Sequence, residues 1–394
     1  MNPPAEKKVT DPYYTYGILY LSPNFRRWEA SQGPRYREYR RAWARRTAQL
    51  DHGDFPLSLN VEATTRCNLA CTFCSQPSLT KDQLGDMPWA LFARLMDEAE
   101  RHQTPAASLN GLGEPMLLAR LPRMIAAAKR HGILDVMFHT NGTLMTEAIA
   151  RSLIESGLDR IIFSVDSPDK KTYEEMRIHG RWERVVAHVN QFARVRSEMG
   201  RSTPLIRTTM VMTEKTILQV PDFVEMWRPV ADQITLQDLT WRSKLLDGGK
   251  WENGERSAIP VSLDQVREEA IRRKVSFVCP YLYQSTVVHW NGDVVPCCHP
   301  DSRKQMVLGN LAKEELHSVW HGKNYREIRN LHSSGRWYEH PICRNCEVPL
   351  VELYKTLQKE GDTTGRDIPV ASEMAPKDRT GEDFVIQYQK ESPE

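Results

Sequence analysis

The chain has 394 residues, enough for about two domains, because single hydrophobic cores rarely grow past about 250–300 residues. Its 53 Lys and Arg residues nearly balance its 51 Asp and Glu residues, so the overall charge does not favour a nucleic acid or an anionic membrane as partner. No window of about 18 apolar residues predicts a membrane span and the N-terminus lacks the apolar core of a secretion signal, so we expect a cytoplasmic protein.

An accessory segment is predicted over residues 1–54. Aromatic residues recur at helical spacing between Arg35 and Leu50, among many arginines, which is typical of an amphipathic helix that packs on a larger domain. The apolar positions of this helix are Tyr36, Tyr39, Trp43 and Leu50. We interpret the arginines as a solvated face, because a run of charge more often solvates a surface than binds a partner.

Repeated βα units are predicted over residues 55–240, where short runs rich in β-branched residues alternate with helical stretches. The six predicted strands are Leu57–Ala63, Ala107–Asn110, Leu134–His139, Arg160–Val165, Ile206–Val211 and Gln233–Gln237. The predicted helices between them are Trp89–Arg101, Leu121–His131, Thr146–Ser156, Trp182–Glu198 and Ile217–Trp227. This alternation indicates an α/β domain built on a parallel sheet.

Three further segments follow the βα units. A linker and helix are predicted over residues 241–275, a small cysteine-bearing module over 276–354, and a charged, loosely ordered tail over 355–394. The chain has eight cysteines, and their short spacings favour metal binding over disulfides in a large protein of a reducing compartment.

The first cysteine group, RCNLACTFC, directly follows the first predicted strand and contains Cys67, Cys71 and Cys74. Loops at the carboxyl ends of parallel strands are where such folds place their sites. Thiolates suit iron–sulfur clusters and zinc, and a closed structural site ordinarily uses four ligands. Three ligands therefore leave one metal position open, unless this loop is a zinc site that borrows a distant fourth ligand.

This loop resembles that of the radical S-adenosylmethionine (SAM) superfamily, whose three cysteines hold a [4Fe-4S] cluster with SAM on the fourth iron. In that family an aromatic residue precedes the third cysteine, and Phe73 stands there, where it would lie near the adenine. The resemblance implies that the reduced cluster passes one electron to the sulfonium of SAM. The 5′-deoxyadenosyl radical that results removes a hydrogen atom from the substrate.

The resemblance also implies a fold and a reductant. We expect a partial (β/α)6 barrel of the TIM type, with SAM and substrate at the top of the strands and the open side capped by the C-terminal module. A flavodoxin- or ferredoxin-type protein would supply the electron. Plausible wall residues for the substrate follow the sixth strand, namely Gln237, Asp238, Trp241 and Arg242.

Further motifs resemble the rest of the family's SAM site. The GLGEP segment after the second strand, with Gly113, Glu114 and Pro115, is similar to the GGEP motif that binds the amino group of SAM. In the resembling family, the ends of the third and fourth strands reach the ribose and the SAM carboxylate, and the matching residues are Asn141, Ser164 and Asp166. Arg207, on the fifth strand, could pair with the SAM carboxylate through its planar guanidinium. The alternatives are an ordinary turn, a helix cap and a structural salt bridge.

The second cysteine group resembles the SPASM/Twitch extension found behind many radical SAM domains. The cysteines are Cys279, Cys297, Cys343 and Cys346, and the stretch between the first two reads as a hairpin turning at Asn291-Gly292. Because no cysteine follows Cys346, the resemblance implies one auxiliary [4Fe-4S] cluster, with a four-cysteine zinc site as the alternative. Cys298 is left over, and it could replace Cys297, donate a hydrogen atom or simply pack.

The reaction that follows hydrogen abstraction is a separate question. The chain has no segment long enough for a cobalamin domain, and residues 1–54 are too short for the winged peptide-recognition domain of many relatives, so we expect a small-molecule substrate. The leading hypothesis is oxidation or epimerisation of a carbinol carbon in a sugar, aminocyclitol or similar natural-product intermediate. The alternatives are a peptide maturase that crosslinks or epimerises a ribosomal precursor, and a non-enzymatic zinc- or cluster-binding protein.

Overall fold

A computed structural model describes residues 16–213, 215–238, 263–299 and 302–346 of the chain. Its strands are β1 Tyr16–Leu21, β2 Ser58–Val61, β3 Ala70–Cys71, β4 Ala106–Ser108, β5 Asp135–Thr140, β6 Arg160–Ser164, β7 Arg177–Ile178, β8 Leu205–Met212, β9 Gln233–Asp238, β10 Ser285–Val288, β11 Asp293–Val295 and β12 Gly309–Asn310. Trp241, Arg242 and the charged tail lie outside the described residues.

The α-helices of the described ranges cover the sheet and the C-terminal module. They are α1 Pro23–Ala30, α2 Pro34–Ala48, α3 Trp89–Arg101, α4 Leu121–Arg130, α5 Glu147–Glu155, α6 Lys170–Met176, α7 Trp182–Glu198, α8 Val220–Trp227, α9 Leu263–Arg272, α10 Tyr281–Gln284, α11 Ser302–Gln305, α12 Leu316–Trp320, α13 Lys323–Ser333 and α14 Pro341–Arg344. None of them combines the length and the apolar character that a membrane crossing requires.

The predicted α/β fold is confirmed. The six predicted strands correspond to β2, β4, β5, β6, β8 and β9, and each pairs in parallel with the next in this order. Parallel neighbours need crossover connections, which the helices between them provide. The carboxyl ends of all six strands therefore meet at one edge of the sheet.

Strand pairings that the sequence did not predict extend this sheet on both sides. On one side β1 pairs antiparallel with β9, so the N-terminal segment contributes a strand as well as helices. On the other side β10 pairs in parallel with β2 and is followed by antiparallel β11 and β12. The C-terminal module thus continues the sheet from β2, and this strand pairing satisfies backbone groups that a sheet edge would leave open.

The two faces of the sheet differ in chemistry. Residues such as Leu59, Ile161 and Ile234 alternate toward the helices and form the main apolar core. The opposite, inner face carries a set of half-buried polar groups, most of them at or just beyond the carboxyl ends of the strands. These inner-face residues are Asn60, Asn110, His139, Ser164, Arg207 and Gln237.

The predicted amphipathic helix is present as α2, and Tyr36, Tyr39 and Trp43 are buried in a second apolar cluster with α1. This cluster reaches Leu57 and other residues at the amino ends of the strands, opposite the cysteine loop. The prediction for Leu50 was wrong. Leu50 lies beyond the end of α2, has a φ of 56° and is 44% exposed, because the helix stops at Ala48 and its periodicity no longer applies.

The predicted hairpin in the C-terminal module is confirmed. It joins β10 to β11 through Asn291 and Gly292, and Gly292 has a φ of +90°, a conformation that favours glycine. The imidazole of His289, at the end of β10, lies beside the carboxyl end of β2 because these strands are in parallel register. The hairpin therefore brings the auxiliary module to the edge of the sheet where the first cysteine group lies.

Candidate functional site

The three-cysteine loop is held by a short ladder. Its strand β3 pairs antiparallel with β7, which places Cys71 opposite Arg177. Beyond this pair, the backbone N–H and the hydroxyl of Thr72 both donate to the carbonyl of Met176, at 2.9 and 3.2 Å. A loop fixed in this way can hold its sulfurs in one arrangement without metal-driven folding.

The sulfur environment fits a cluster with three protein ligands. The N–H of Leu69 donates to the sulfur of Cys67 at 3.5 Å, and the N–H of Gln76 donates to that of Cys74 at 3.4 Å, so backbone donors favour the thiolate form. Burial raises the pKa of Cys71 to about 12. A metal must therefore displace the proton from this thiol when it binds. Cys67, Cys71 and Cys74 would hold a [4Fe-4S] cluster with one iron left for SAM.

A buried ion pair that the sequence analysis did not identify lies against this loop. The Nε of Arg177 donates to Asp166 at 2.6 Å, its Nη1 lies 3.7 Å from the sulfur of Cys71, and its guanidinium carbon is 5.7 Å from the Phe73 ring centroid. Burial alone would lower the pKa of Arg177, but Asp166 and Cys71 raise it above its usual range. The loop therefore has a fixed positive charge beside one cluster ligand.

Both carboxylate oxygens of Asp166 have hydrogen-bond partners within the protein. One of its carboxylate oxygens accepts from Arg177 and the other accepts from the N–H of Val211 at 2.9 Å. Its φ of 60° is a left-handed conformation that non-glycine residues adopt only where the surroundings impose it. The structure thus brings Asp166 to the cysteine loop through Arg177, while the predicted contact with ribose stays a prediction.

The GLGEP segment packs tightly on the entry to the cysteine loop. A Cβ added at Gly113 would lie 2.4 Å from the carbonyl oxygen of Thr64 and 2.6 Å from that of Arg66, so only glycine fits there. The next residue, Glu114, donates its N–H to the same Arg66 carbonyl at 2.8 Å. The backbone of this segment therefore lies beside Arg66, the residue that precedes Cys67.

We predict that Gly113→Ala lowers SAM cleavage by about tenfold or more, because the added methyl group must displace backbone, and overpacking of this kind costs about 1–3 kcal/mol. The matched control is Gly33→Ala, whose Cβ would meet no atom within 4 Å and whose φ is −72°. Anaerobic assays with SAM and dithionite would measure 5′-deoxyadenosine for both. Equal rates in the two variants would contradict the assigned fit.

Glu114 connects two strand ends. Its buried carboxylate accepts from the hydroxyl of Thr140 at 2.8 Å, from the N–H of Asn141 at 2.7 Å and from the N–H of Met116 at 3.1 Å. Burial raises its pKa, and these donors oppose that shift. The backbone of Pro115 begins the short 3₁₀ turn Pro115–Leu117. The carboxylate thus positions the end of β5, and binding of the SAM amino group remains a prediction for this segment.

Asn141 is also brought to the cysteine loop. Its amide nitrogen donates to the side chain of Asn68 at 2.9 Å and lies 4.0 Å from the sulfur of Cys67. Ser164 is the last residue of β6, while Arg207 is the third residue of β8 and lies level with Ile162. The predicted SAM-binding residues other than Arg207 therefore share one edge of the sheet, and Asn141 lies against the loop itself.

A second polar cluster links the SAM-binding segments to the auxiliary module. Glu62, just after β2, is fully buried, with one carboxylate oxygen 3.1 Å from the Nδ1 of His289 and the other paired with Arg303. It also accepts from the N–H of Leu112 at 3.3 Å. Burial would raise the pKa of Glu62, but His289 and Arg303 lower it to about 2. The carboxylate is therefore charged at neutral pH and joins three segments.

Three of the four auxiliary cysteines, namely Cys279, Cys297 and Cys343, influence one another. Burial raises the pKa of Cys343 well above its usual value, and the charges of Cys279 and Cys297 raise it further, so these three sulfurs share one environment. The N–H of Cys346 donates to the carbonyl of Cys343 at 3.2 Å. Cys298 is exposed, and its charge acts on Cys279. Soft thiols suit an iron–sulfur cluster, and Cys298 differs from the other auxiliary cysteines in being exposed.

His332 was not identified from the sequence, yet it contacts two of the auxiliary cysteines. Its Nδ1 lies 3.3 Å from the N–H nitrogen of Cys279, and its Nε2 lies 3.4 Å from the sulfur of Cys343. Burial lowers its pKa to about 4, so the ring is neutral at physiological pH. A neutral ring between two ligand positions fits the outer shell of a cluster, where such groups orient the ligands.

Comparison with known proteins agrees with this geometry. The family profile described as "Radical SAM superfamily" matches residues 61–223, and the SPASM profile, described as "Iron-sulfur cluster-binding domain", matches residues 279–347. The chain is 24% identical to the tungsten-containing aldehyde ferredoxin oxidoreductase cofactor-modifying protein of Pyrococcus furiosus, covering 74% of this chain and 87% of that protein. It is also 24% identical to the PqqA peptide cyclase of Xanthomonas axonopodis pv. citri, covering 74% and 80%.

A solved structure supports the fold. SuiB of Streptococcus suis, bound to S-adenosylmethionine, superposes with a TM-score of 0.55 at 17% identity, covering 76% of this chain and 75% of that one. The two matched domains imply [4Fe-4S] clusters at the two cysteine groups and SAM at the first. The chain therefore carries a radical SAM domain over residues 61–223 and a C-terminal SPASM iron–sulfur domain over residues 279–347.

Proposed function

We propose that this enzyme removes a hydrogen atom from a carbinol carbon of a small, hydroxyl-rich molecule, such as a sugar or an aminocyclitol, and oxidises that carbon to a carbonyl. The observation that carries the proposal is the polar inner face of the sheet. At the strand ends, where such folds place their substrates, the half-buried groups are amides, imidazole, hydroxyl and guanidinium. The residues concerned are Asn60, Asn110, His139, Ser164, Arg207 and Gln237.

Polar walls of this kind favour a ligand that can satisfy them. A buried donor or acceptor that loses its partner costs about 1–3 kcal/mol, so an apolar substrate would be disfavoured on this face. A polyhydroxylated substrate offers a hydroxyl group to each amide and to the guanidinium. The same groups would orient one carbon toward the SAM site, and such positioning is the main contribution that the protein makes.

Oxidation requires that the alcohol lose a hydrogen atom from carbon, a proton from oxygen and one further electron. When bound, the two clusters supply the electron that splits SAM and an acceptor for the electron that the substrate gives up. The auxiliary cysteines are joined to the barrel by β10, which pairs directly with β2. The module that would take the electron is therefore part of the same sheet as the SAM site.

Epimerisation is less well supported, because it needs a hydrogen donor in place of an electron acceptor. Cys298 is the one thiol outside the predicted ligand sets, and it is exposed beside Cys279. We predict that Cys298→Ala keeps more than about half of the wild-type turnover, as expected for a surface substitution. Turnover would be followed by chromatography of product and 5′-deoxyadenosine. Loss of product with unchanged SAM cleavage would instead identify Cys298 as the hydrogen donor.

Modification of a peptide is the second candidate function. It is favoured by the likeness to the PqqA peptide cyclase of Xanthomonas axonopodis pv. citri, which extends over 74% of this chain. A precursor peptide encoded beside the gene would support it. Both candidates remove two hydrogens, so they differ in the molecule that loses them. A peptide would gain a crosslink within one chain, whereas a small-molecule carbinol would become a carbonyl.

The test is an anaerobic incubation of the reconstituted enzyme with SAM, dithionite and carbon-deuterated probes. Perdeuterated myo-inositol, glucosamine and UDP-N-acetylglucosamine cover cyclitols, amino sugars and nucleotide sugars. Deuterium in 5′-deoxyadenosine, together with a carbonyl product, supports the proposal. Formation of 5′-deoxyadenosine that gains deuterium from none of them, but does so from a deuterated precursor peptide, supports the peptide function. A colourless protein that holds zinc in place of about eight irons would indicate a non-enzymatic binding protein.

A further inference from the structure

A cluster of histidines around one aspartate lies where the barrel meets the auxiliary module, away from both cysteine groups in the sequence. Asp54 precedes β2, His102 follows α3, and His317 belongs to α12 of the module. A third histidine, His321, lies next to these residues, with its Nε2 2.8 Å from the backbone carbonyl of Asp54. We call Asp54, His102 and His317 the seam cluster. None of its members has a part in the proposed SAM chemistry.

The potential ligand atoms of the seam cluster converge. The Nδ1 of His102 lies 2.6 Å from one carboxylate oxygen of Asp54, and the Nε2 of His317 lies 3.2 Å from the other. One nitrogen from each ring and one carboxylate oxygen all lie within 4.8 Å of one another. Tetrahedral zinc with bonds of about 2.1 Å needs ligand separations of about 3.4 Å, so a closure of about 1 Å would complete the set.

The rings are held in place before any ion binds. His102 and His317 stack with centroids 4.8 Å apart and planes 10° apart, and Phe55 stacks on the other face of His102 at 4.5 Å and 6°. His102 and His317 are 21% and 37% exposed, so a hydrated ion can reach them. Little ordering entropy is therefore lost when the rings bind a metal.

The chemistry of the group suits a transition metal. Two imidazoles and one carboxylate are a zinc ligand set that leaves a fourth position for water. His317 and His321 are also spaced i, i+4, so one helix face offers a second imidazole beside the first, with ring centroids 4.6 Å apart.

We propose that Asp54, His102 and His317 form a binding site for a divalent transition metal, with Zn²⁺ as the best-fitting ion, that ties the auxiliary module to the barrel. The two partners of Asp54 come from different domains, so an ion bound by all three joins the domains. The site lies before the amino end of β2, whereas the predicted SAM site lies beyond its carboxyl end, so the ion would be separate from the radical chemistry. Zinc would raise thermal stability and leave SAM cleavage unchanged.

The test uses the full-length enzyme with both clusters reconstituted, freed of loosely bound metal and titrated anaerobically with Zn²⁺ against a chromophoric chelator. We expect one tight equivalent of zinc, a higher unfolding temperature with zinc present, and no loss of iron. His102→Ala and His317→Ala should each weaken zinc binding by about 100-fold or more, because each removes a direct ligand and even outer-shell partners are worth about 10–100-fold.

His131→Ala is the matched control. His131 is also a partly exposed histidine paired with a carboxylate, Asp97, but it does not belong to a converging set of three ligands. This variant should bind zinc as the wild type does. The proposal is wrong if the tight equivalent is absent, if it persists unchanged in both seam variants, or if its uptake releases iron equally in all proteins. Cluster absorbance in each variant shows that the chain has folded.

Discussion

The Cys71→Ala variant is expected to form no 5′-deoxyadenosine above background, a loss of more than about 100-fold, since even outer-shell partners of a metal site are worth about 10–100-fold. Cys71 lies at the centre of the loop, with its backbone paired to Arg177 and its side chain partly buried. Removing one of three thiolates leaves two, which cannot hold a four-iron cluster in the orientation that SAM needs.

Iron content separates the two cysteine groups in this experiment. The Cys71 variant should keep about four of about eight irons, those of the auxiliary module, and should lose the change in the electron paramagnetic resonance spectrum that SAM causes in the wild type. Cys298→Ala is the matched control, because it removes a cysteine that we exclude from both ligand sets. SAM cleavage that survived in Cys71→Ala would remove the basis of the function proposed above.

The fold was predictable because its signals are local and repeated. All six predicted strands overlap the observed ones to within about two residues at each end, and the helix Trp89–Arg101 was predicted to the residue. β-Branched runs and amphipathic helices mark each unit independently of the others. The strand β1 and the pairing of β10 with β2 were not predicted for the opposite reason, since both pairings depend on chain segments more than 200 residues away.

The parts of the site that the sequence did not predict are those made by distant residues. Arg177 lies in a helix-to-strand connection without a motif, and only the β3–β7 ladder shows that it faces Cys71. The sequence gives only a weak indication of the role of Glu62, which is an acidic residue just after β2. His289 and His332 gain their roles through packing of the auxiliary module against β2 and Cys343. Motif spacing carries no information about such contacts.

These contacts also bear on how the two domains act together. Glu62 receives the N–H of Leu112 from the SAM-binding segment and lies beside His289 from the auxiliary hairpin, so it is fixed by both domains at once. Because the carboxylate is buried and charged, its cost of desolvation is offset only while these partners remain in place. The auxiliary module therefore supports, through Glu62, the segment that is predicted to bind SAM.

The largest effect outside the cysteines is expected for Arg177→Met. The substitution leaves Asp166 charged, fully buried and without its cation, and breaking a buried pair from one side costs about 3–5 kcal/mol. It also removes the positive charge 3.7 Å from the sulfur of Cys71, a position from which a guanidinium can pair with the carboxylate of SAM. Both the free energy of unfolding and SAM cleavage should fall.

A double variant separates these two effects. Asp166→Asn combined with Arg177→Met removes both buried charges, so its free energy of unfolding should exceed that of Arg177→Met by about 1–3 kcal/mol, the size of coupling that contacting residues show. Urea unfolding followed by circular dichroism under anaerobic conditions would measure it. SAM cleavage should stay low in the double variant, because the cation beside Cys71 is still missing. If cleavage recovered together with stability, Arg177 would act only through packing, and the open iron would bind SAM without its help.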